Sequence, residues 1–189
     1  MAEEYYKTKE SVNEYIELAK DVDSGDLIEQ LKQYVKAGSD VLEIGSGPGT
    51  DWEILSRDFN VTGSDFSQDF LNHLIKTYPK GRFVELDAVS LHTDEKFDVI
   101  YSNKVMHHLT DDDLLQSVER QSKMLHDDGV VCHSFWKGEG SEVFKGMYVN
   151  YHTLEELKSV FASKFKVLLV ENYKEFEDND SVVLIAKIL

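Results

Sequence analysis

The chain has 189 residues, 41% of them apolar and 30% charged, with only two prolines, so it can build one full core and does not have the composition of a disordered segment. The 36 acids against 20 bases give a formal charge of −16, which repels nucleic-acid phosphates and anionic lipid. A single cysteine, Cys132, excludes an intrachain disulfide and a multi-cysteine metal site, and no apolar run reaches membrane-spanning length. With no signal-peptide pattern at its start, the chain is expected in the cytoplasm, as a single domain with no nucleic-acid or membrane partner.

In chain order, Val12, Tyr15, Ile16 and Ala19 share one helical face, and Leu27, Ile28, Leu31, Tyr34 and Val35 make a second stripe. Asp26-x-x-Glu29 predicts a capping box at the start of the second helix, and Gly38 its end. Val41-Leu-Glu-Ile-Gly-Ser-Gly-Pro-Gly49 follows: a short apolar strand carrying Glu43, then Gly45, Gly47 and Gly49, then a helix from Thr50. Such a junction lets backbone approach a ligand closely and aims helix-start N–H groups at it. The spacing is Gly-x-Gly-x-Gly, whereas a dinucleotide fingerprint has Gly-x-Gly-x-x-Gly.

Beyond the glycines, strand and helix alternate with short connections. Asn60–Ser64 is a strand ending at Asp65, and Ser67 opens a helix with Phe70, Leu71, Leu74, Ile75 and Tyr78 on its face. Arg82–Leu86 is a third strand ending at Asp87, Phe97–Ser102 a fourth, and Gly129–Phe135 a fifth, after a helix begun at Thr110-x-x-Asp113. This alternation predicts right-handed crossovers and a mainly parallel sheet with helices on both faces. The end breaks the pattern. Thr153-x-x-Glu156 caps a last helix, and strands at Phe165–Val170 and Ser181–Ile188 flank a short acidic loop that cannot hold a buried crossover helix. The expected fold is therefore an α/β/α sandwich around a seven-stranded, mainly parallel sheet, finished by an antiparallel C-terminal hairpin strand.

The glycine loop with its preceding acid, Asp65 and Asp87 at strand ends, the segment Phe97–Leu109 and the terminal hairpin together resemble the class I S-adenosylmethionine-dependent methyltransferases. The resemblance spans residues from about 41 to the end of the chain. It implies S-adenosyl-L-methionine as cofactor, with Gly45, Ser46, Gly47 and Gly49 forming the nucleotide loop. Asp65 would accept both ribose hydroxyls and Phe66 would lie against the adenine. Asp87 would accept from the adenine amino group, with a backbone N–H near Ala88 meeting a ring nitrogen. Each acid also has a plain structural role available, Asp65 at a helix N-terminus and Asp87 as a turn former. Glu43 would reach toward the cofactor's charged end or tie a helix to the sheet. Asn103 and Val105 would border the methionine part. Residues 1–36 would form helices covering the cleft, with Tyr15 reaching the cofactor; the alternative is a helix that packs on the sheet without touching a ligand.

The expected reaction is in-line methyl transfer to a small-molecule acceptor. His108 is the candidate general base, while Trp136, Tyr148 and Tyr151 are candidate substrate contacts. The pair His107-His108 does not by itself make a metal site, because adjacent side chains diverge and no further ligand cluster completes a set. Two other functions share part of this pattern: a nicotinamide-dependent oxidoreductase, and a methyltransferase-like module that binds without catalysing.

Overall fold

A computed structural model describes residue 12, residues 24–144 and residues 146–189. The first predicted helix lies outside these residues except for Val12, so Tyr15 and that helix's part of the cover expected from residues 1–36 are not described. The elements run α1 (Gly25–Leu31), β1 (Asp40–Ile44), α2 (Thr50–Leu55), β2 (Asn60–Asp65), α3 (Gln68–Thr77), β3 (Arg82–Glu85) and β4 (Phe97–Asn103). A 3-10 turn at Met106–His108 follows, then α4 (Asp111–Met124), β5 (Leu125–Trp136), β6 (Ser141–Phe144), β7 (Met147–Asn150), α5 (Leu154–Phe161), β8 (Phe165–Tyr173) and β9 (Ser181–Ile188).

Seven strands form one sheet in the order β3-β2-β1-β4-β5-β9-β8. The strands β1 to β5 pair in parallel, and β9 runs antiparallel to both β5 and β8, as the short acidic loop requires. Both faces of the sheet are covered. Leu42 and Ile100 point into one core with Phe135, Leu157 and Phe161, while their neighbours Val41 and Val99 point into the other with Ile28, Leu31 and Val183. That alternation explains why the central strands are continuous apolar runs.

Two local expectations change. The helix α1 begins at Gly25 behind Ser24, which puts Glu29 past the position a capping box needs; Glu29 instead takes the Lys32 ammonium at 2.6 Å. Ser24 Oγ donates to the Asp51 carboxylate. The stretch after Trp136 is a separate two-stranded hairpin, β6 with β7, where no strands were expected. At α5 the predicted capping box is complete: Thr153 Oγ1 accepts from the Glu156 N–H at 3.3 Å, and Glu156 Oε2 accepts from the Thr153 N–H at 2.8 Å.

Candidate functional site

The strand order reverses between β1 and β4, since the chain steps outward through β2 and β3 and then returns to the other side of β1. A crevice opens beyond the carboxyl ends of strands at such a point. A cavity of about 410 Å³ lies there, bounded by Glu43, the glycine loop, Asp65 and Phe66 on one side and by Asn103–Val105, His108 and Trp136 on the other. A second hollow of similar volume sits at the opposite edge of the sheet, among Asp40, Asn60, Arg82 and Phe97, which all start their strands. It contains no residue singled out from the sequence, and ligands of open α/β sheets do not bind at that edge.

The glycine loop is shaped by conformation and by close packing. Gly45, Gly47 and Gly49 have φ of 70°, 50° and 90°. A Cβ on Gly45 would stand 2.6 Å from the Val105 side chain, and one on Gly49 would stand 2.7 Å from Leu74 and from Tyr78. Gly49 caps α2 from outside the cavity lining. Asp65 laces the loop to the end of β2, its Oδ2 accepting from the Gly47 N–H at 3.0 Å and its Oδ1 from the Ser67 N–H at 2.8 Å. Burial nevertheless pushes its pKa up to about 6, against those backbone donors. A carboxylate has about four lone-pair positions, so further hydroxyl donors fit on the same two oxygens.

Glu43 is wholly enclosed in β1. Its Oε2 accepts from Ser46 Oγ at 2.6 Å, yet burial, with the Asp51 charge next and Asp65 adding, raises its pKa to about 8. Asp51 also lines the cavity and accepts from the Tyr101 hydroxyl at 2.7 Å. Three carboxyl groups thus converge on one end of a cavity whose remaining wall is largely apolar, an arrangement that favours a cationic ligand with an aromatic or aliphatic body. Sequence reasoning missed Asp51, whose signal was only an acid in the first turn of the helix after the glycines.

Asp87 is exposed, outside the lining, and its Oδ1 accepts from the N–H groups of Val89 and Ser90 at 3.2 and 2.7 Å. In this arrangement it shapes the turn after β3, whose flanking residues Leu86 and Ala88 line the cavity. The Ala88 carbonyl in turn accepts from Ser117 Oγ at 2.6 Å, which pins that turn to α4.

On the far side, Asn103 accepts from Ser134 Oγ and the chain turns through the 3-10 segment. His107 and His108 both line the cavity, with ring centroids 4.0 Å apart. The His108 Nδ1 donates to the Tyr148 carbonyl at 2.8 Å, which leaves the lone pair on Nε2. Burial lowers the pKa of both rings, that of His107 further, so both are neutral at pH 7. From the hairpin, alternation along β7 directs Met147 and Val149 at the cavity, joined by Phe144 of β6. Tyr148 therefore contributes its carbonyl rather than its ring, and Tyr151 turns outward to donate to Glu142. Trp136 lines the cavity, stacked on Phe176 of the β8–β9 loop with centroids 5.9 Å apart. Among the described residues no group of three or more His, Cys, Asp or Glu side chains could hold a metal ion.

Residues 41–129 match a family model described as a methyltransferase domain. The chain is 32% identical over 108 residues to an uncharacterized methyltransferase of Bacillus pumilus (strain SAFR-032), covering 53% of this chain and 49% of the relative. It is 27% identical over 142 residues to a malonyl-[acyl-carrier protein] O-methyltransferase of Calditerrivibrio nitroreducens, covering 72% and 55%. The chain thus spans about half the length of these curated relatives. Among solved structures, Burkholderia thailandensis 1,6-didemethyltoxoflavin-N1-methyltransferase, with bound 1,6-didemethyltoxoflavin and S-adenosylhomocysteine, superposes with a TM-score of 0.79 at 18% identity over 95% of this chain and 84% of that one.

Proposed function

We propose, on the premise that residues 41–129 are a methyltransferase domain on the fold of the class I S-adenosylmethionine-dependent enzymes, that the chain transfers a methyl group from S-adenosylmethionine to a small-molecule acceptor. The observation that carries this reading is the convergence of Glu43, Asp51 and Asp65 on the glycine-loop end of the cavity. There the hydroxyls and ammonium of an adenosine bearing a positively charged sulfur find carboxyl oxygens, and a cation would draw Glu43, raised to about 8 by burial and its acidic neighbours, into its ionised form. S-adenosylmethionine supplies a methyl group on a good leaving group. The chain's task is then to orient an acceptor and keep water away.

In this account Asp65 takes the ribose hydroxyls and Phe66 lies on the adenine between Leu86 and Ala88. The Glu43 end, with Gly45, Ser46 and Gly47, meets the amino-acid part, and Asn103 and Val105 border the sulfur. The His108 Nε2 receives a proton from a hydroxyl or ammonium acceptor, since the Tyr148 carbonyl already fixes the proton on Nδ1. Its lowered pKa keeps it unprotonated and ready at neutral pH. Small acceptors are supported by the modest cavity and by the small hairpin that closes it, with Met147 and Val149 as contacts beside Trp136.

Incubation of the protein with methyl-labelled S-adenosylmethionine and a metabolite extract tests this directly. Label is expected in the small-molecule fraction, and His108→Ala is expected to lower the rate roughly 10²–10⁴-fold with cofactor affinity nearly unchanged. Full activity in that variant would remove the base from the account, and label confined to macromolecules would remove the small acceptor.

A further inference from the structure

Lys104 has a geometry that neither the cofactor contacts nor the base employs. It leaves β4 at φ 54°, a left-handed conformation uncommon outside glycine. Its backbone N–H donates to Ser134 Oγ at 2.9 Å, and its side chain crosses the ends of β5 and β9. There Nζ donates to the Phe135 carbonyl at 3.1 Å and to Ser181 Oγ at 2.6 Å, and lies 3.4 Å from the centroid of the Trp136 ring. The three N–H bonds of an ammonium thus meet a carbonyl, a hydroxyl and a π face. Lys104, Trp136 and Phe176 all line the cavity, and Trp136 carries Phe176 by stacking.

We propose that Lys104 is a positioning residue for the methyl acceptor: its ammonium, seated on Trp136 and anchored to β5 and β9, holds the aromatic wall against which the acceptor lies. The proposal rests on the acceptor-side reading given above. The other charged and titratable groups facing the amine are Glu175 and Asp180 from the β8–β9 loop, Tyr173 from β8 with its ring centroid at 5.3 Å, and His107 from the turn after β4. Asp180 is already engaged, accepting from the N–H groups of Glu175, Phe176 and Glu177 at 2.9 Å and from Ser181 Oγ at 2.9 Å. It therefore shapes the loop that presents Phe176. Burial pulls the Lys104 pKa down to about 7, with Glu175 and Asp180 opposing. The charge on the indole face is accordingly present below that pH and lost above it. The wall is held firmly in mild acid and loosens as pH rises.

The chain has two tryptophans, so Trp52→Phe leaves Trp136 as the sole indole reporter in the full-length protein. Trp52 packs on Tyr78 and Phe83, away from the cavity. Emission of Trp136 is followed from mild acid to mild base, with and without S-adenosylhomocysteine. A titration centred near the Lys104 pKa of about 7 is expected. Lys104→Met should abolish it and Lys104→Arg should hold the low-pH emission throughout, because a guanidinium does not titrate in that range. A flat profile in the Trp52→Phe protein, or a titration that survives in Lys104→Met, overturns the proposal. Failure of S-adenosylhomocysteine to bind any of these proteins counts against the cofactor reading instead, and leaves the emission result to decide the role of Lys104.

Discussion

Glu43 stands in the middle of a buried strand, where an ionised carboxyl is costly and a single hydroxyl donor does not offset the cost. Its pKa is about 8 in the fold against 4.5 for the free group. For an acid raised in this way the stabilising contribution is complete below the unfolded value and is lost as pH rises through the folded one. Asp65 behaves alike over a lower range, from 3.8 to about 6. The lowered bases His133, Lys104 and His107 act in the opposite sense. The difference between Glu43→Gln and the parent cancels those common terms. Glu43→Gln is therefore expected to match the parent near pH 5 and to become progressively more stable by pH 9, by up to about 1.4 kcal/mol for each pH unit crossed. Thermal melts at a series of pH values give the answer; parallel curves for the two proteins would mean that Glu43 is ionised throughout.

Among the elements, α5 offers the cleanest separation of stability from function. Both arms of its capping box are formed, and none of its residues lines the cavity. Thr153→Ala should lower stability by about 1 kcal/mol in a denaturant titration and leave S-adenosylhomocysteine affinity unaltered. A large loss of affinity would show that α5 and the cleft are coupled. This capping box was legible in the sequence, as were the central strands, because local residue order determines both. The placements of Glu43 inside β1 and of Asp65 at the end of β2 were legible for the same reason, whereas Asp87, just past β3, turns to the Val89 and Ser90 N–H groups outside the cavity lining. The hairpin of β6 and β7 was not, since all four residues of β6 are exposed and show no alternation of burial. The glycines Gly138, Gly140 and Gly146 around it were the available signal. Nothing in the sequence sets Lys104 apart from Asn103 and Val105, although the left-handed turn that redirects it is the basis of its proposed role. Its partners come from β5, β9 and the loop before β9, so only the order of strands in the sheet reveals the set. In this aromatic stretch the sequence does not show the strand phase that turns the Tyr148 ring away and leaves its carbonyl, nor that Tyr151, past the end of β7, donates to Glu142.

At the scale of the whole molecule, the sheet order places the reversal between β1 and β4, and the antiparallel β9 closes the far side with β8 beyond it. The glycine loop, Asp65 and the turn after β4 meet only because of that order. The central claim is that the resulting cavity holds S-adenosylmethionine, and calorimetric titration with S-adenosylhomocysteine, in parallel with NAD, tests it most directly. Binding in the micromolar range, about −7 to −9 kcal/mol, is expected for S-adenosylhomocysteine. Asp65→Ala should weaken it by about 1.5–3 kcal/mol, the scale of hydrogen bonds lost to a charged group. Tight NAD binding with no heat from S-adenosylhomocysteine would contradict the account.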